Sequence, residues 1–265
     1  MKDRAENIRK VIEYLMADCH VCHQMPSSLE ERQRMMRALM NVWEPRDISP
    51  EFLAMQDAEL QMQREDKGVV SLDEIRKGDH NSQFSILNSQ LKLWQGDITR
   101  LRIDAIINAA NAQALGCWVP LHNCIDNCTH SAAGIQLRKE CADIMQGRLL
   151  RTGEAFITRG YNLPAKHVIH TVGPIIEAGI PTKQQEEQLA QCYRSCLDLA
   201  EQHHLESIAF CCISTGVFHF PNQRAAEIAV ETVHTYPRHS VKIVVFNVFL
   251  DKDYDIYSKL LTATV

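Results

Sequence analysis

Residues 96–134 read GDITRLRIDAIINAANAQALGCWVPLHNCIDNCTHSAAG, and the rest of the chain is arranged around them. An acidic turn, Gly96-Asp97-Ile98-Thr99, precedes a short apolar run, Ala105-Ile106-Ile107. That run ends in the amide-rich Asn108-Ala109-Ala110-Asn111. The following loop packs Cys117, His122, Cys124, Cys128 and His130 into fourteen positions. A strand that ends in polar side chains and then a loop is where open α/β sheets place their ligands. Thiols and imidazoles in the same loop can place a metal beside that ligand. The stretch reads as a nucleotide-diphosphate pocket with a zinc ion at its reactive end.

Working outward, short apolar runs alternate with helical stretches from about residue 84 onward. Candidate strands are 85–93, 103–108, 154–158, 167–172, 207–213 and 241–248. Candidate helices are 126–146, 184–203, 222–235 and 253–262. This alternation predicts a three-layer α/β domain. Leu189, Cys192, Tyr193, Cys196, Leu197 and Ala200 follow helical spacing, so Cys192 and Cys196 read as core thiols. Cys141 lies likewise on an apolar helical face, and Cys211 ends a strand.

Before that domain, residues 1–80 read as auxiliary helices. Ile8, Val11, Ile12, Leu15 and Met16 share one helical face. Ser27 with Glu30 predicts a capping box for a second helix, which carries Met35, Met36, Leu39 and Met40. Ser49-Pro50 starts a third. Such helices bury little alone and are expected to pack on the main domain. Cys19-His20-Val21-Cys22-His23 has the spacing of c-type haem attachment. That attachment goes with export, and MKDRAENIRK lacks the apolar segment of a secretory signal. An interhelix turn is the favoured reading, and a second metal site the alternative.

The chain has 265 residues, 45% of them hydrophobic, enough for one large domain with an extension. Its 28 basic and 33 acidic residues give a net charge of −5. That balance argues against a nucleic-acid binder. No apolar run approaches the ~20 residues that span a bilayer. Ten cysteines without an export signal suit a reducing compartment, so the expectation is a cytoplasmic protein.

For the individual pocket residues, two readings stay open at this level. Asp97 either accepts a hydrogen bond from an exocyclic amine such as adenine's, or caps its turn. Asn108 and Asn111 either meet ribose hydroxyls or cap a loop. Ser214-Thr215-Gly216-Val217-Phe218-His219-Phe220-Pro221 follows a strand and precedes a helix. Its backbone N–H groups can hold a phosphate without Lys or Arg. Phe218 either packs on a ribose or plugs the core.

Several ordered motifs then make a resemblance plain. GDIT at 96–99, NAAN at 108–111, HSAAG at 130–134, TGEAFITRGYNLPAKHVIHTVGP at 152–174 and STGVFHFP at 214–221 resemble the macrodomain family of ADP-ribose-binding modules. The match covers roughly 84–262. GCWVPLHNCIDN, in place of the usual glycine-rich loop, resembles the zinc-dependent subgroup, which carries an N-terminal helical extension. The resemblance implies a mixed six-stranded sheet between helices, with residues 1–83 as the extension and 84–265 as the macrodomain. It implies ADP-ribose in a cleft at the strand ends. Asp97 matches the adenine-binding Asp, and Ile98 offers the neighbouring contact. Asn111 matches the Asn beside the distal ribose. Ser214, Thr215, Gly216, Val217 and Phe218 match the diphosphate loop, and Phe249 an aromatic near the adenine. Asp126 stands where hydrolysing members have an acidic residue. His219 departs from the glycine common at its place.

Cys117, His122 and Cys124 supply two soft thiolates and an imidazole, a set that suits Zn²⁺ with a fourth position for water or substrate. Cys128 and His130 compete as ligands; Cys128 reads as a packed thiol and His130 as a structural hydrogen-bonding residue. The implied reaction removes one ADP-ribose from a protein side chain, a carboxylate ester at the distal ribose. Zinc would bind ribose hydroxyls, polarise the scissile linkage, or acidify a water that Asp126 orients or deprotonates. Asp126 could also cap its helix. No Ser-His-Asp array suggests a covalent route. Two alternatives are a non-catalytic ADP-ribose reader with structural zinc, and a hydrolase of free ADP-ribose esters. The subgroup's association with a sirtuin-type ADP-ribosyltransferase and a lipoyl carrier protein suggests a modified carrier as partner. The chain is expected to act as a monomer.

Overall fold

The computed structural model describes residues 2–77, 90–177 and 179–263. It opens with α1 (Lys2–Asp18), α2 (Leu29–Val42) and α3 (Pro50–Lys67). Ile8, Val11, Ile12 and Leu15 are fully buried, on the face their spacing predicts. The capping box of α2 sits one residue later than expected: Ser28 is the N-cap and Glu31 closes the box. Paired serines at 27–28 and paired glutamates at 30–31 satisfy the motif in both registers, so spacing alone cannot choose. Ser49 caps α3 with Pro50 inside the first turn, as expected. The three helices enclose a small core of Met36, Leu39, Met40, Trp43, Phe52 and Leu60, to which the main domain adds Ile135. Cys19 and Cys22 fall in the turn after α1, half-buried and exposed. Among the described residues they join no cluster of metal-capable side chains.

Next come β1 (Val70–Ser71) and α4 (Leu72–Lys77). The boundary expected at 83/84 and the first part of the strand expected over 85–93 lie outside the described residues. The main body contains β2 (Leu91–Gln95), β3 (Leu101–Arg102), β4 (Ala105–Ala109), α5 (Ile125–Ala133), α6 (Ile135–Met145), β5 (Ala155–Arg159), β6 (His167–Thr171), α7 (Lys183–Gln202), β7 (Ser207–Phe210), α8 (Asn222–Thr235), β8 (Ile243–Val248) and α9 (Asp251–Ala263). β1 pairs with β3. The main sheet has six strands in the order β2-β8-β7-β4-β6-β5. Every pairing is parallel except the antiparallel β5–β6 edge. This is the mixed sheet of the expected three-layer α/β/α fold. The helix expected over 126–146 is two helices, because Gly134 at φ 103° ends α5 in a conformation other residues rarely adopt. Cys141, Cys192, Cys196 and Cys211 are buried as apolar packing residues.

Parallel pairing fixes where function can sit. β2, β8, β7, β4 and β6 all end on one edge of the sheet. The loops after them therefore gather there, carrying 96–97, 249–250, 211–221, 110–124 and 172–174.

Candidate active site

Of these loops, the one after β4 carries the metal-capable side chains. Cys117, His122 and Cys124 converge, with their ligand atoms within 4.8 Å of one another. Cys117 Sγ lies 3.6 Å from His122 Nδ1. Two ligands of one tetrahedral zinc, at ~2.3 Å for sulfur and ~2.0 Å for nitrogen, stand roughly 3.5 Å apart. The donor set, and the spacing of this pair, fit zinc. Burial pushes the Cys124 thiol up to about 12, so metal binding there would release a proton. Cys124 is also the N-cap of α5, its Sγ accepting from Asn127 N at 3.4 Å. The capping role considered for Asp126 thus belongs to Cys124. Cys128 stays outside the cluster, its thiol 3.8 Å from the Arg37 guanidinium.

Two residues beyond Cys124, Asp126 is only 4% exposed. Asn108 donates to its Oδ1 at 2.8 Å, and Asn111 to its Oδ2 at 3.4 Å. Burial raises its carboxyl to about 6, against the Asn108 hydrogen bond and the charge of Arg138. Asn111 also donates to Gly116 O at 3.2 Å and accepts from Ala114 N at 3.1 Å. The NAAN pair thus ties strand end, metal loop and acid together. Asn108 Nδ2 lies 3.1 Å from His170 Nδ1, so that nitrogen accepts and Nε2 carries the proton. His170 Nε2 then meets Thr158 Oγ at 3.0 Å. A second close group of His130, Cys141 and His170 therefore offers no free His170 nitrogen, which argues against a second ion. His130 departs from its expected structural role. Neither ring nitrogen has a hydrogen bond, and the nearest carboxylate, Asp126, is 3.7 Å away. Burial lowers its pKa well below the ordinary value, so the ring is neutral. Unpartnered polar atoms of Asn108 and His130 lie beside this buried carboxylate.

The loops after the other parallel strands lie on the same edge of the sheet. Asp97 caps the short turn 98–100, with Oδ1 accepting from Thr99 N at 3.0 Å and Thr99 Oγ at 2.6 Å. Its Oδ2 stands 3.6 Å from Lys67 of α3. Ile98 is buried and pins the turn. Asn247 donates to Gly96 O at 2.9 Å, joining this turn to the end of β8. There Phe249 is 73% exposed. In the 214–218 loop, Ser214 is buried at φ 65° and Phe220 N returns to its carbonyl at 2.9 Å. Gly173 lies directly against it: a Cβ there would come 2.0 Å from Ser214 Oγ. Thr215 Oγ donates back to Cys212 O at 3.0 Å, further closing the loop. Gly216 faces open space and Val217 is 61% exposed. Phe218 packs against the core, the plug alternative.

Sequence reasoning missed the residues that support these loops. Arg37 and Asn41 of α2 reach the metal loop, and Lys67 of α3 reaches Asp97. No local pattern marks them, because their partners lie 30 to 90 residues further along the chain.

Comparison with known proteins places these features. A family model, the Macro domain, matches residues 107–229. The Protein-ADP-ribose hydrolase of Staphylococcus aureus (strain MSSA476) is 48% identical over 261 residues, covering 94% of each chain. The Protein-ADP-ribose hydrolase of Treponema medium is 47% identical, over 95% of this chain and 97% of its own. The crystal structure of the Trypanosoma brucei macrodomain in complex with ADP-ribose is 30% identical, with a TM-score of 0.62, over 89% of this chain and 96% of that one.

Proposed function

This chain belongs to the Macro domain family, and on that premise we propose that it is a zinc-dependent protein-ADP-ribose hydrolase. Relatives named Protein-ADP-ribose hydrolase, with no metal in their names, align over nearly the whole chain, extension included. The observation that carries the finer reading is one loop and helix turn that deliver two chemistries together. Cys117, His122 and Cys124 form a zinc-compatible set, and Asp126 follows two residues later with both NAAN amides on its carboxylate.

In this reading Asp97, Ile98 and Phe249 hold the adenine end. Ser214, Thr215, Gly216, Val217 and Phe218 hold the diphosphate through the open backbone of their loop. Asn111 meets the distal ribose and orients Asp126. Asp126 orients or deprotonates the attacking water, held for it by Asn108. Cys117, His122 and Cys124 would hold the zinc, which would supply a Lewis acid there. The substrate is a mono-ADP-ribosylated protein with the modification on an acidic side chain, and a lipoyl carrier protein is one such partner. Residues 1–83 form the extension and 84–265 the hydrolase domain. No described helix is long and apolar enough to cross a membrane.

The test is incubation with a protein mono-ADP-ribosylated on a carboxylate, with and without chelator, following released ADP-ribose. Turnover that chelator removes is the expected result. Binding without turnover would leave a reader. Turnover of free ADP-ribose esters alone would leave a small-molecule hydrolase.

A further inference from the structure

We propose that α2 of the helical extension is part of the metal centre, with Arg37 and Asn41 as positioning residues that hold the 117–124 loop in its ligand geometry. This rests on the reading of Cys117, His122 and Cys124 as zinc ligands.

The contacts are specific to that loop. One Arg37 nitrogen donates to His122 O at 2.8 Å and to Asn127 Oδ1 at 2.8 Å, while Nε reaches the same Asn127 oxygen at 3.3 Å. Asn127 is fully buried. Its side chain donates to Val119 O at 2.9 Å, and its backbone N–H donates to Cys124 Sγ. Arg37 therefore grips the backbone of one ligand and, through Asn127, the residue that orients another. Asn41 acts between them. Its carbonyl accepts from Leu121 N at 2.9 Å, and its amide donates to Ser131 Oγ at 3.0 Å. Leu121 adopts φ 59°, a conformation that costs a branched residue energy and needs an external hold. The third ligand is tied to the same helix from the other side. Arg138 donates to Asn41 O and Trp43 O, both at 2.8 Å, and reaches Cys117 O at 3.4 Å.

The loop has no regular element of its own to fix it. Residues 116–124 contain no helix or strand. Val119 is 57% exposed. Outer partners that fix the orientation of a metal ligand typically change affinity about 10- to 100-fold when removed. An extension that merely covered apolar surface would touch helix faces, not the carbonyl of a ligand and the amide beside it.

The experiment uses the full chain. Arg37→Gln, Arg37→Lys and Asn41→Ser are compared with the parent protein for Zn²⁺ affinity against a competing chelator. Cobalt-loaded samples are read by the thiolate-to-cobalt absorption, and circular dichroism checks the fold. The expected result is a roughly 10- to 100-fold loss of zinc affinity for Arg37→Gln, with a weakened or shifted cobalt band. Arg37→Lys should recover part of it, since one ammonium can serve His122 O but not both partners at full strength. Asn41→Ser should fall between. If Arg37→Gln does not fold, Arg37→Lys and Asn41→Ser decide the matter. Folded variants with parental zinc affinity and cobalt spectrum would overturn the positioning role while leaving the zinc reading intact. A parent protein that binds neither metal would overturn both.

Discussion

The Asp126 carboxylate is placed where its own solvation is poorest and its hydrogen-bond donors are fixed. A carboxylate that only capped a helix would sit at the first orphan N–H groups in water. Here Cys124 does the capping, and Asp126 is free to face Asn108 and Asn111. Asp126→Asn is therefore expected to lower turnover by about 10²- to 10⁴-fold, the usual range for a lost acid–base group. Zinc content and ADP-ribose binding should stay near those of the parent. Undiminished turnover would remove Asp126 from the chemistry. At the other end of the cleft, Asp97→Ala should remove a charged acceptor from adenine, worth roughly 1.5–3 kcal/mol. Calorimetry should then show at least a tenfold loss of ADP-ribose affinity, and equal affinity would move the adenine elsewhere. Beside the 214–218 loop lies Gly173, which no sequence motif picked out as a contact. Its hydrogen faces Ser214 Oγ where a methyl group would be 2.0 Å away. Gly173→Ala should displace the 214–218 loop and weaken ADP-ribose by about tenfold, with overpacking of roughly 1–3 kcal/mol behind it. Tight binding by this variant would show that the loop does not need its present position.

Elements were legible where their signals were local. Strand and helix positions in the main body followed from apolar runs and from Gly, Pro and Ser punctuation, and most agree within a few residues. β7 ends at Phe210 although apolar character continues through Ile213. The chain there leaves the sheet to make the turn over 213–217, a tertiary demand that hydrophobicity does not encode. The break at Gly134 was hidden because helical spacing runs through both α5 and α6. The Cys117-His122-Cys124 grouping was readable from spacing and chemistry. The supports from α2 were not, since hydrogen bonds across 85 to 90 residues leave no local periodicity. The capping box of α2 has a measurable consequence for the same reason. Ser28→Ala should remove the cap and lower stability by about 1 kcal/mol. That corresponds to a melting temperature lower by roughly 2–4 °C for a chain of this size. An unchanged transition would mean the neighbouring Ser27 takes over the cap in the alternative register.

At the scale of the whole molecule, the proposed reading assigns recognition and reaction to different loops. Five parallel strands bring their loops to one edge, but each loop is braced by different elements. The turn at 96–99 leans on β8 and α3, through Asn247 and Lys67. The 214–218 loop leans on the segment after β6, through Gly173 and through Ile176 N donating to Phe218 O at 2.8 Å. The metal loop leans on α2 and α6, through Arg37, Asn41 and Arg138. Disturbing one brace should therefore leave the others standing. Removal of zinc by chelator is expected to loosen 116–124 and abolish hydrolysis, while ADP-ribose affinity changes by no more than a few-fold. Calorimetry on the stripped and reloaded protein, beside single-turnover release from a modified protein, reads both quantities. Recovery of turnover on adding zinc back would place the ion in the reaction. Equal hydrolysis by the stripped protein would leave Asp126 and the two asparagines as the working centre and reduce the Cys-His-Cys set to a structural clasp. Loss of affinity as large as the loss of turnover would mean that the metal loop shapes the whole cleft, and that the braces are coupled.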